Sequence, residues 1–126
     1  MDELREKCPW DRKQTIQSLR SQTIEELYEL TDAVTLQDWD SMKEELGDLM
    51  LHILFYSKIA SEQQKFDIRD VMEAVSEKLV RRHPHIYGSV EVKDEEDVKR
   101  NWEKLKFREG KTSVLAGGPQ WLLSAL

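Results

Sequence analysis

A disulfide framework is ruled out by arithmetic: cysteine occurs once, at Cys8, so no intrachain bridge can form and nothing in the chain depends on an oxidising compartment. Turn formers are scarce as well. Five glycines and three prolines in 126 residues are too few for the many tight connections of a sandwich of short strands, whereas 35% charged and 39% hydrophobic residues suit long surface helices. Positive charge is in deficit, with 19 basic against 25 acidic side chains and a formal charge of −6, so no global field draws in polymeric nucleic acid. No apolar run approaches the ~18 residues of a membrane span. The opening MDELREKCPW is too charged for a signal peptide, which makes a cytoplasmic protein with no membrane partner the expectation.

What is present is helical periodicity. Ile16, Leu19, Thr23, Leu27, Leu30 and Val34 recur at spacings of three and four and form one stripe, with Asp11 and Gln14 expected to cap the helix that carries it. A second stripe runs through Trp39, Met42, Leu46, Leu49, Ile53 and Tyr56, widened by Met50, Leu51, Leu54 and Phe55 until the helix is nearly apolar all round. Such a helix belongs in the centre of a core or in a subunit interface. A third helix is expected from Asp67, with Asp70 in its first turn, to a stop before Pro84. A fourth opens at Asp94, with Asp97 following, and carries Val98, Trp102 and Leu105 up to Gly110. The expected fold is therefore an all-α, four-helix bundle. Residues 1–118 are expected to form its one domain, and 119–126, after a Gly-Gly-Pro turn, to be the start of a truncated further helix.

The acidic residues of the first two helices are arranged in pairs. Glu26 with Glu29, and Glu45 with Asp48, stand three residues apart, which on a helix projects both side chains within about 60° of each other. Glu26 and Asp48 fall beside their apolar stripes, so packing the stripes together would turn the two pairs face to face. Four converging carboxylates repel one another unless some protonate or a cation enters, and an all-oxygen site suits Mg2+ or Mn2+ better than zinc. Either pair alone has the pattern of an ordinary solvated face in a charge-rich domain. From spacing alone, the solvated-face and metal-site readings both stand. A di-iron carboxylate bundle is a poorer match, because it uses Glu-x-x-His pairs and no histidine here lies three residues after a glutamate.

The segments IEELYE (24–29) and EELGD (44–48) resemble the EExxE and ExxD signature of the MazG family of nucleotide pyrophosphohydrolases. The resemblance covers nearly the whole chain: CPWD at 8–11, QT and SL on either side of Ile16, KFDIRDV at 65–71, EKLVRRHPHIYG at 77–88, NWEKLK at 101–106 and SVLAGGP at 113–119 follow in family order. It is closest to the first half of members that carry two such domains in tandem. Two positions depart from the family pattern: Ile16 stands where a histidine is expected, and His52 where glutamine is more usual.

The resemblance implies a helical domain that dimerises and cleaves NTPs or dNTPs to the monophosphate and pyrophosphate, in the service of nucleotide-pool housecleaning. It implies Glu26, Glu29, Glu45 and Asp48 as Mg2+ ligands, with Glu25 as a water-orienting base or second-layer partner. Lys78 and Arg81 become candidates for the substrate's phosphates, against the simpler role of complementing a helix C-terminus. Asn101, Trp102 and Lys106 become candidate nucleotide contacts, Trp102 by stacking on a base or else as a packing anchor. His83 and His85 flank Pro84 and are expected to hydrogen-bond the turn or face solvent, while CPWD is expected to be structural. The competing non-enzymatic reading is an acidic helical dimer, a regulatory half of a larger two-domain protein.

Overall fold

The computed structural model describes residues 1–110; the expected helix start at 119–126 and the SVLAGGP segment lie outside the described residues. Seven helical segments follow one another: α1 (Asp2–Lys7), α2 (Pro9–Lys13), α3 (Ile16–Thr35), α4 (Trp39–Glu62), α5 (Ile68–Arg82), α6 (Pro84–Tyr87) and α7 (Glu95–Arg108). No strand occurs among the described residues. The long helices α3, α4, α5 and α7 are the four expected from periodicity, and the three short ones are additions. The chain divides into two compact units, Met1–Glu73 and the remainder from Ala74.

Side-chain caps account for most of the boundaries. The helix α3 does not begin at the expected Asp11–Gln14 signal. Asp11 lies inside α2, Gln14 is extended, and Thr15 is the cap: its Oγ1 accepts from the Ser18 N–H at 3.0 Å while Ser18 Oγ accepts from the Thr15 N–H at 2.8 Å. This reciprocal box satisfies two of the otherwise orphaned N–H groups of the first turn. Asp38 caps α4 by accepting from the Ser41 N–H at 3.2 Å. Asp67 and Asp70 accept each other's N–H at 3.0 Å at the head of α5, and Asp94 accepts from the Asp97 N–H at 3.0 Å at the head of α7. Gly110, with φ of +81°, follows α7 in the left-handed region where glycine carries no side-chain penalty.

In the N-terminal unit α3 and α4 are joined by three residues, Leu36 to Asp38, so they must run antiparallel. Gln37, at φ 53°, takes the reversal. Leu19 of α3 packs against Phe55 and Ile59 of α4, with Met1 and Tyr56 alongside. Arg5 ties α1 to this core: its guanidinium grips Glu62 with Nε and Nη2, donates from Nη1 to the carbonyls of Asp11 and Gln14, and lies over the Phe55 ring at 5.9 Å. Trp10 meets the same ring edge-on at 6.4 Å but stays half exposed. Of the two places expected for α4, the centre of a core or a subunit interface, the first is only partly met among the described residues. Leu46, Met50, Leu51 and Ile53 remain exposed beside the buried Phe55, Ile59 and Ala60.

In the C-terminal unit the Trp102 indole N–H donates to the Arg82 carbonyl at 2.8 Å, and its ring meets His83 edge-on at 5.6 Å. Glu109 receives Arg81 Nε at 2.6 Å and Arg82 Nη2 at 2.9 Å. These hydrogen bonds, Arg82 first and then Arg81, hold the Glu109 carboxyl down at about 2. The stabilisation is present above the ordinary glutamate range and is lost as pH falls from there toward that value. His83 Nδ1 bonds the Leu79 carbonyl at 2.6 Å, the turn-bonding role expected of it.

Leu19 is 1% exposed at the centre of the α3–α4 contact. Leu19→Ala removes its packing on Phe55 and Ile59 and is expected to cost about 2–5 kcal/mol of unfolding free energy, read by urea denaturation at unchanged m-value. A loss below about 1 kcal/mol would mean that this contact is not the core.

Candidate metal centre

Going up α3 and down α4 from the core, the facing residues change character turn by turn. Leu19 faces Phe55 and Ile59. One turn on, Thr23 Oγ1 lies 2.7 Å from His52 Nδ1 and 2.6 Å from the Tyr56 hydroxyl. One to two turns further, Glu26 and Glu29 face Glu45. Each of these three offers a carboxylate oxygen within 4.8 Å of the others. Helical spacing sets the pairs, and the antiparallel register brings one pair against the other helix.

Three of the four expected ligands therefore converge. Asp48, one turn along α4 from Glu45, stands exposed outside the trio, its side chain one methylene shorter for reaching across the seam. Its charge is nonetheless felt there, since it raises the Glu26 carboxyl. Glu25 is exposed on α3 and outside the trio.

The trio is electrostatically strained. Burial first, and then hydrogen-bond competition with Glu26 and Glu29, pushes the Glu45 carboxyl up to about 7. Glu26 is raised too, by burial and by the charges of Asp48 and Glu29, against a lowering interaction with Glu45. Glu26 Oε2 and Glu45 Oε2 are buried without a hydrogen-bond donor. Ionised carboxylates accept and cannot donate, so two such oxygens facing each other call for a proton or a cation between them. Hard oxygen donors on two rigid helices fit Mg2+ or Mn2+.

The remaining expected site residues belong to the C-terminal unit. Lys78 is half-buried on α5. Arg81 is engaged with Glu109, and Lys106 with Glu103 at 3.6 Å. Asn101 lines a groove with Pro84, Val90, Lys104, Leu105 and Arg108, so its neighbours there are Lys104 and Arg108 and do not include Lys106. Trp102 commits its N–H to Arg82, the anchoring role weighed beside base stacking. Sequence reasoning passed over Thr23 and Tyr56 as members of the apolar stripes and set His52 aside. The signal available was a histidine and a tyrosine four apart on one helix face, which need a partner when buried.

The raised Glu45 carboxyl gives a pH test with a definite sign. Between its ordinary value of 4.5 and about 7 the folded, metal-free chain holds a proton that the unfolded chain does not, so stability falls as pH rises through about 7. Thermal melting in EDTA should therefore show greater stability near about pH 5.5 than near about pH 8. Glu45→Gln should remove that difference, and saturating Mg2+, which requires the ionised form, should oppose it. A wild-type dependence that survives in Glu45→Gln would assign it to other groups.

A family model described as the MazG nucleotide pyrophosphohydrolase domain matches residues 14–87, which includes all four acids of the two helical pairs. Among curated relatives, the chain is 51% identical over 106 residues to a Bacillus subtilis protein named uncharacterized protein YabN, covering 84% of this chain and 22% of that protein. It is 48% identical over 111 residues to the Thermotoga maritima nucleoside triphosphate pyrophosphohydrolase/pyrophosphatase MazG, covering 86% and 42% respectively. It is 40% identical over 102 residues to the Escherichia coli nucleoside triphosphate pyrophosphohydrolase, covering 81% and 39%. The chain thus spans well under half the length of these relatives. A crystal structure of a mazG-related protein from Thermotoga maritima superposes with a TM-score of 0.72 at 26% identity, covering 84% of this chain and 92% of that one. With the family model spanning more than half its length and the helical scaffold shared with a solved relative, the chain belongs to the MazG nucleotide pyrophosphohydrolase domain family.

Proposed function

We propose that this domain hydrolyses nucleoside triphosphates, ribo- or deoxyribo-, to the monophosphate and pyrophosphate in a Mg2+-dependent reaction that clears unwanted nucleotides from the pool. The observation that carries the reading is the convergence of Glu26, Glu29 and Glu45 within 4.8 Å, with two buried oxygens that lack donors. An acidic chain of charge −6 would repel a polyanionic nucleotide, and a carboxylate-held cation reverses that sign locally.

In this reading Glu26, Glu29 and Glu45 hold the cation, and Asp48 swings its exposed carboxylate in as the fourth ligand. A bound Mg2+ supplies neutralisation of the phosphate oxygens and a water of lowered pKa. Glu25, exposed one residue before the first ligand, orients the attacking water. Lys78, with no carboxylate at ion-pair distance among the described residues, binds substrate phosphate. Arg81 does so after exchanging Glu109 for a phosphate oxygen, a swap between two charge-assisted acceptors. Asn101 and Lys106 contact the nucleotide, and Trp102, its N–H already spent, offers at most the face of its ring.

A homo-oligomer, minimally a dimer, completes the proposal. Ile24 and Leu27 of α3 and Leu46, Met50, Leu51 and Ile53 of α4 are each more than 40% exposed, a concentration of large apolar side chains that favours a second copy as cover. The same surface supports the alternative reading, in which the domain only dimerises and regulates a larger protein. Sedimentation tests the shared prediction; catalysis separates the two.

Pyrophosphate release from a panel of NTPs and dNTPs is expected with Mg2+ and absent in EDTA. Second-layer partners of a metal ordinarily cost 10–100-fold, so Glu29→Gln, which removes a direct ligand, should reduce kcat/KM by about a hundredfold or more. A panel with no Mg2+-dependent release from the wild-type chain would leave the dimerisation reading in possession.

A further inference from the structure

The α3–α4 seam contains a buried polar group that the proposed chemistry does not use. His52 is 8% exposed, and its Nδ1 lies 2.7 Å from Thr23 Oγ1. That hydroxyl also lies 2.6 Å from the Tyr56 hydroxyl and donates to the Leu19 carbonyl at 3.0 Å. A hydroxyl has one proton and two lone pairs. With the proton given to Leu19, the lone pairs accept from Tyr56 O–H and from His52 Nδ1–H. With the histidine's proton on Nε2 instead, Nδ1 accepts from Thr23 O–H; in either arrangement the Thr23 oxygen is held twice by α4, at His52 and at Tyr56.

Outside the acidic trio, these two contacts are the only side-chain hydrogen bonds that cross from α3 to α4 among the described residues. They also sit next to the acids. Thr23 is one turn before Glu26 on α3, and His52 is one turn after Asp48 on α4. Apolar contact is non-directional and does not by itself prevent one helix from sliding on another. Beside the acids the apolar cover is thin, since Ile24, Leu27 and Ile53 are all more than 40% exposed, and the buried layer of Leu19, Phe55 and Ile59 lies further along the seam. Three carboxylates that repel one another must nevertheless stay within 4.8 Å.

We propose that Thr23, His52 and Tyr56 form a positioning clamp, which fixes the register of α3 on α4 and so sets the spacing of Glu26, Glu29 and Glu45 for a divalent cation. The role toward the cation rests on the metal reading above, whereas the clamp itself is a statement about hydrogen bonds and stands apart from it. None of the three is among the ligands or nucleotide contacts proposed above.

The test uses two readouts besides activity. Nitrogen-15 NMR of the metal-free chain is expected to show a His52 Nδ1 signal shifted by its hydrogen bond to Thr23 in wild type and to lose that shift in Thr23→Val; a His52 Nδ1 signal that is the same in both overturns the clamp. Mn2+ titration, followed by electron paramagnetic resonance well below the melting temperature, should then give equal affinities for wild type and Thr23→Ser. Thr23→Val should bind about five- to tenfold more weakly, at the lower edge of what outer-layer partners of metal sites cost. Tyr56→Phe, which keeps the ring and drops one of the two cross-helix bonds, should fall between them and serves if Thr23→Val fails to fold. Lower melting temperatures with unchanged Mn2+ affinity would show ordinary packing and overturn the proposal. Wild type that binds no Mn2+ would sink the metal reading and the clamp's role toward it, while the response of the His52 Nδ1 signal to Thr23→Val decides separately whether the clamp exists.

Discussion

Like charges brought together on two facing helices cost free energy, and the seam between α3 and α4 is arranged around that cost. Glu26, Glu29 and Glu45 are held within 4.8 Å where water has been partly removed, so Glu45 retains its proton up to about 7. No arrangement of carboxylates alone relieves this, because each oxygen accepts and none donates once ionised. A hard cation among the three carboxylates would relieve that strain. What keeps the helices from parting is the rest of the seam: Thr23 bound to His52 and Tyr56, then Leu19 against Phe55 and Ile59, then Arg5 locking α1 to the far end of α4 through Glu62.

The C-terminal unit solves the opposite problem. Arg81 and Arg82 are adjacent at the end of α5, and the Arg82 guanidinium is largely withdrawn from water while Arg81 stays half exposed. Glu109 at the end of α7 accepts from both, and Trp102 closes the same corner by donating to the Arg82 carbonyl. The result is a cluster left with one net positive charge, in which Arg82 Nε still lacks an acceptor.

Periodicity located α3, α4, α5 and α7 because amphipathic stripes repeat over many turns and tolerate a few exceptions. Local caps at Asp38, Asp67–Asp70 and Asp94–Asp97 reinforced three of the four starts. The error at the head of α3 has a simple cause: Asp11–Gln14 and Thr15–Ser18 are both capping patterns within one short segment, and the first is consumed by α2, whose Pro9 favours a helix start. The short helices α1, α2 and α6 are too brief to show a stripe. Arg5 holds the first two in place through Glu62 and the carbonyls of Asp11 and Gln14.

The sequence by itself determined that the chain is helical, that acids lie in pairs three apart on two successive helices, and which family that order resembles. All of these are properties of neighbours along one chain, fixed by the 3.6-residue turn. Only the tertiary structure decided which acids meet, that Asp48 stands aside from the trio, that Arg81 faces Glu109 and that Thr23 finds His52 and Tyr56. Those outcomes depend on the register of one helix against another and on side-chain rotamers across the gap, and a single turn's displacement along the seam would have paired a different set.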